Sequence, residues 1–241
     1  MRTVKYADPV SDAAGGGPTG PSPAPSRRLP LFPLDNVVLL PGVLLPLLAF
    51  EPRYRQLAGD VVAGDRQIGM IAVRPEHAHE MAGDPPLYAI GCAGFVTEHR
   101  RLPDGRHQML LQGTQRFRLV REPPREGERL YRIAEVEALE EDPGDATRAG
   151  KLRERVIELL IRLTERTLEA GQALDAGRLQ ALEIGQFANV ISQSVNLPTP
   201  EKQSLLEADT LTERLERLVG ALDFQLAWLA QAPDGGSERV H

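Results

Sequence analysis

"YAIGCAGFVTEHRRLPDGRHQMLLQGTQRFRLV", residues Tyr88 to Val120, holds two runs of strand-forming residues joined by Pro103-Asp104-Gly105. Proline presets φ for the first turn position and glycine accepts a positive one, so the segment predicts a long hairpin. Gly113, inside the second run, predicts a bulge or a sharp bend, because glycine adds nothing to strand packing. Cys92 is the single cysteine and has no Cys/His partners at zinc spacing, so it reads as a small buried strand residue. A chain that needs no disulfide fits a reducing compartment, and a cytoplasmic location is expected. Arg100, Arg101, Arg106, Arg116, Arg118 and Arg121 gather on this hairpin. The plain expectation for them is a solvated strand face, with a patch for anions or RNA as the alternative.

Upstream, "LPLFPLDNVVLLPGVLLPLLAFEPRYRQL" (Leu29 to Leu57) is the most apolar part of the chain. Its longest run without a charge, Val37 to Phe50, has 14 residues and includes Pro41 and Pro46. A membrane-spanning helix needs about 20 apolar residues, and an interior proline costs a helix about 3 kcal/mol, so a membrane span is rejected. Instead the prolines divide the stretch into three expected strands, "LPLF", "NVVLL" and "VLLPLL". Pro52 then opens a helix through Tyr54, Leu57, Ala58, Val61 and Val62. "QIGMIAV" reads as a strand, "RPEHAHEMAGDPP" as a loop, and "LYRIAEVEAL" as a closing strand with Tyr131, Ile133 and Val136 as inward candidates. Residues 1–28, rich in Gly, Pro, Ser and Ala, cannot bury enough surface to offset their ordering entropy and read as a disordered leader.

Beyond "EEDPGD" the apolar period becomes helical. Leu152, Val156, Leu159, Leu160 and Leu163 share one face, and Asp175 is placed to cap a helix through Leu179, Leu182, Ile184, Phe187 and Ile191. Thr199 is expected to cap a short helix with Pro200 at its first position. Thr210 and Glu213 form a capping box ahead of Leu211, Leu215, Leu218, Leu222, Leu226 and Leu229. The sequence therefore predicts an α+β chain: a leader (1–28), a β-domain with one helix (29–140), a bundle of about four helices (141–230) and a flexible tail (231–241).

Charge narrows the function. Residues 27–140 balance 15 Lys/Arg against 15 Asp/Glu, whereas residues 141–241 carry 11 against 17, so neither part has a nucleic-acid binder's basic footprint. "GDATRAGKL" misses a phosphate loop, since Gly144 and Gly150 are one residue too far apart and Leu152 stands where a hydroxyl belongs. His77, His79, Glu76 and Glu80 cluster without a defined ligand geometry and read as a solvated loop. Ser192, Ser194 and Ser204, with Lys151 or Lys202, show no nucleophile-base context. No catalytic residue, cofactor or metal is expected, and the sequence names no substrate-binding residue.

Three segments together resemble a known family. The Leu29–Leu57 stretch is similar to the opening of the N-terminal, substrate-binding domain of Lon proteases. "LLQGTQRFRL" carries that domain's G-x-x-R-F pattern at Gly113, Arg116 and Phe117, and "LPTPEKQSLLEADTLTERLERL" resembles its helical signature. The resemblance covers about residues 29 to 230. It implies a PUA-like β pseudo-barrel followed by a helical bundle, and binding of unfolded or client polypeptides. With the chain ending at His241, it also implies a stand-alone, non-enzymatic adaptor in protein quality control, with a protease as a further partner. RNA or small-ligand binding, which other PUA-like folds support, is the alternative.

Overall fold

The structure, a computed structural model, describes residues 27–167 and 176–231. The expected leader and tail and the Asp175 cap lie outside the described residues, except that Arg27 and Arg28 already pair in the first strand. The strands are β1 (Arg27–Leu34), β2 (Leu44–Ala49), β3 (Gln67–Ala72), β4 (Ile90–Arg101), β5 (His107–Arg121) and β6 (Ile133–Ala138). Helix α1 (Pro52–Ala63) joins β2 to β3. After β6 come α2 (Ala146–Thr167), α3 (Ala176–Ala181), α4 (Ile184–Ser194), α5 (Thr199–Glu207) and α6 (Leu211–Gln231).

The hairpin organises the sheet. Strands run β2-β5-β4-β3-β1-β6, and β5 also pairs with β6, so the sheet curls into a barrel. β5 achieves this by its length: residues 107–112 pair with β2, and Phe117–Arg121 pair with β6. β1 and β3 run parallel, and the other pairings are antiparallel. The ring is narrow, and Leu29, Leu31, Ile71, Ala93, Phe117, Ala134 and Val136 from five strands fill it. A Cβ on Gly91 would stand 2.5 Å from the Phe117 ring, so the glycine makes room for the largest interior side chain. A second cluster lies under α1, where Tyr54, Leu57, Ala58 and Val61 meet Leu40, Met70, Cys92 and Leu111. Tyr54 stacks on Phe32 at 4.1 Å and donates its hydroxyl to Pro33 O, while burial pushes its pKa up to about 12. Burial also pushes the Cys92 thiol up to about 12, which keeps it protonated.

One of the three expected strands is absent. Residues 35–43 pair with nothing as a strand, although Val38, Leu39 and Leu40 are buried. This segment turns at Pro41-Gly42 and clasps β5: Gly42 N donates to Gly113 O, and Gly113 N donates to Val43 O, both at 2.8 Å. A Cβ on Gly113 would lie 2.2 Å from Leu40 O, so close backbone approach explains that glycine. The expected irregularity falls beside it, where Thr114 has no partner between the Ala93–Gln115 and Gly94–Gly113 pairs. The loop after β3 contains a 3₁₀ turn, Pro75–Glu80.

Five helices follow. The expected helix through Leu179 and Ile191 is interrupted at Leu182-Glu183, where Arg153 of α2 donates to the carbonyls of Leu179 and Leu182 that the break leaves without a following turn. Thr199 is not the cap: α5 begins one residue earlier than expected, with Pro198 O at the N-cap accepting from Glu201 N and Lys202 N, and Thr199 is already helical. Thr210 is a cap: its Oγ1 accepts from Glu213 N at 3.1 Å, while the backbone N–H groups of Asp209 and Thr210 face the Glu213 carboxylate and, with Arg217, hold its pKa down. Arg148–Glu216 and Arg155–Asp223 ion pairs show that α2 and α6 run side by side in the same direction.

Two buried arginines tie barrel to helices. Arg116 Nη1 donates to Leu206 O and Ala208 O at 2.9 and 2.6 Å. Arg214 donates to Leu205 O and Asn189 Oδ1, and Glu141 pairs with both guanidiniums. Arg116 therefore leaves the solvated face expected of the hairpin arginines: it is 4% exposed, and burial beside Arg214 lowers its pKa.

Candidate functional site

The leucines of α6 point inward at 211, 215, 218, 222 and 226. Phe224 and Trp228 lie one turn apart on nearly the opposite side, and they are 65% and 68% exposed. They form one wall of a groove of about 720 Å³. Leu160 and Leu163 of α2, Ile191 of α4 and the Val195–Pro198 connection supply its floor and other wall. Gln225 Nε2 donates to Asn196 O at 2.7 Å and fixes that connection to α6. Glu201 contributes the lining's one charge. Lined mainly by Leu160, Leu163, Ile191, Val195, Pro198, Phe224 and Trp228, this concavity suits the burial of apolar side chains.

A smaller depression of about 590 Å³ lies on the barrel wall between β2 and the hairpin, over Pro46, Leu48 and Leu110. Of the exposed apolar residues Leu44, Leu48 and Phe50 on and beside β2, Leu48 lines it, while Leu47, which also borders it, packs into the core cluster.

The sequence profile of the ATP-dependent protease La (LON) substrate-binding domain matches residues 28–223. The chain belongs to this LON substrate-binding-domain family. It is 29% identical to the Lon protease of Paraburkholderia phytofirmans, with 96% of this chain and 29% of that protein aligned. To the Lon protease of Dictyoglomus thermophilum it is 27% identical over 82% of this chain and 24% of that protein. The chain thus spans less than a third of these relatives. A crystal structure of a Lon N-terminal domain protein from Xanthomonas campestris matches with a TM-score of 0.57 at 26% identity, covering 80% of this chain and 98% of that one. The N-terminal domain of the Mycobacterium avium complex Lon protease shares the fold at a TM-score of 0.63 and 17% identity, over 82% and 98%.

The LON-type motifs are structural in this chain. Gly113 admits the 35–43 segment, Arg116 joins barrel to helices, Phe117 fills the ring, and Gln203 of the helical signature donates to Ile90 O. The remaining sequence candidates stay dispersed. His77 and His79 both face Glu80, and among the described residues no three His, Cys, Asp or Glu side chains converge on a metal-sized site. Asp145 caps α2 through Arg148 N, so "GDATRAGKL" is a helix start. Ser194 Oγ donates to Val190 O, Ser204 accepts from Arg217, and Lys202 donates to Gln193 O, so none of these forms a Ser-Lys pair. Arg100, Arg106 and Arg121 engage Gln108, Asp104 and Glu135. No described helix is long and apolar enough to cross a membrane.

Proposed function

We propose that this chain is a non-enzymatic polypeptide-binding module, a cytoplasmic adaptor in protein quality control that holds unfolded client segments in the groove beside Trp228. The observation that carries this is the pair Phe224 and Trp228, left two-thirds exposed over an apolar floor that ends in Leu160 and Ile191. The family's description as a substrate-binding domain supports the same reading, with a Lon-type protease as the second partner. Covering each large side chain contributes about 1.5–3 kcal/mol, so the two rings together supply about 3–6 kcal/mol toward holding a client segment.

Fluorescence anisotropy with a labelled, permanently unfolded polypeptide tests this. Saturable binding by the wild type, weakened about tenfold in Trp228→Ser, is expected. Equal binding by the two proteins, or no binding by either, would sink the proposal.

A further inference from the structure

The groove's apolar lining is interrupted at one point by charge, and that charge has no counterion. Glu201 stands in the first turn of α5, exposed, and its carboxylate has no ion-pair or hydrogen-bond partner among the described residues. Other acids of the helical part are paired: Glu158 and Asp223 with Arg155, and Glu213 with Arg217. Glu201 also borders a second depression of about 290 Å³, formed with Ser204, Leu205, Arg217, Ala221 and Phe224. The carboxylate therefore sits where the two depressions meet against the exposed ring of Phe224. Arg217, across that depression, directs its Nη1 to Ser204 O and Oγ and its Nη2 to Glu213, and makes no ion pair with Glu201.

A wholly apolar ligand seated here would strip water from an unpaired carboxylate, which is unfavourable. A ligand carrying a basic side chain beside its apolar anchors replaces that water with a counterion in a partly dry setting. We infer that the groove selects client segments in which large apolar side chains flank a lysine or arginine, and that Glu201 reads that charge. This rests on the polypeptide-binding function proposed above. It adds a specificity rule, because a segment with an acid at the same place meets repulsion as well as lost hydration.

The test uses the full chain and three labelled peptides with identical Leu and Phe positions and Lys, Gln or Glu at the centre. At low salt the wild type should bind the Lys peptide about tenfold more tightly than the Glu peptide, since a rim ion pair changes affinity about fivefold and repulsion adds to the difference. Glu201→Gln should flatten the order and Glu201→Lys should invert it, with all differences shrinking at high salt. A purely structural role for Glu201 at the start of α5 would not invert a peptide preference. Equal affinities for the wild type, or an unchanged order in Glu201→Lys, overturn the charge rule and leave polypeptide binding standing. Failure of all three peptides to bind the wild type overturns both.

Discussion

The barrel and the helical part leave apolar surface uncovered under different constraints. A strand edge exposes unpaired backbone donors and acceptors along with its side chains, so leaving one open invites uncontrolled pairing. The barrel accordingly closes β5 onto β6, and its open edge strand, β2, carries Pro46, which has no N–H to offer. A helix satisfies its backbone internally, so an uncovered helical face exposes side chains alone. The α6 helix can therefore keep the side chains of Phe224 and Trp228 in water while their backbone N–H groups stay bonded within the helix. An adaptable apolar grip is cheaper to build from helices than from this sheet.

Substitutions can break that contrast. The largest effect is expected for Phe117→Ala, which empties the ring and should cost about 4 kcal/mol in urea unfolding. A loss below about 1 kcal/mol would mean that the barrel interior is not the tightly filled region described. Next is Arg214→Ala, which removes the guanidinium from Leu205 O, Asn189 and Glu141 and should cost about 3 kcal/mol. Calorimetry should then show the helical part melting ahead of the barrel, whereas a single unsplit transition would show that the two parts do not depend on this seam.

A smaller effect concerns pH. His99 Nε2 and His107 Nδ1 lie 2.8 Å apart near the hairpin tip, and burial, then His99, Arg101 and Arg55, hold the His107 pKa below its ordinary value. The unfolded chain therefore takes up this proton first as pH falls. The stabilisation from neutral His107 is complete above about pH 6.5 and is lost as pH drops from there toward the folded pKa. The melting temperature should fall between pH 7 and 5, and His107→Gln should reduce that fall; an identical fall in the variant would remove His107 as its source. Smallest of all is the stability change in Trp228→Ser, expected within about 0.5 kcal/mol because the ring is 68% exposed. Should that variant be badly destabilised, the groove is core and the contrast collapses.

Much of this architecture is legible in local chemistry. Pro103-Asp104-Gly105 makes its turn, with Gly105 at φ 82° and Asp104 Oδ1 accepting from Arg106 N, and Thr210 caps α6 as its spacing demands. Val37–Leu40 misleads because a buried apolar run looks like a strand whether or not it has a pairing partner, and its partner here is a clasp on Gly113. Arg116 misleads because alternation along β5 marks it for solvent, whereas Glu141 and the carbonyls of α5 arrive from distant sequence to bury it. The groove did leave a trace: Phe224 and Trp228, four residues apart, fall off the leucine stripe of α6. That offset shows aromatic residues without an internal partner, but the facing Ile191 and Pro198 come only from the fold.

The root of α6 sets where the grip can be. Thr210 bridges Asp142, Leu211 N donates to Asp142 O, and Thr212 Oγ1 donates to Pro143 O and Asp145 O. At about 1.5 Å per residue, Trp228 stands roughly 25 Å along the helix from that anchorage. Beyond the anchorage the helix is held against α2 by Arg148–Glu216 and Arg155–Asp223, by its inward leucines as far as Leu226, and by Gln225 on Asn196 O, so the aim set at the base is kept along its length.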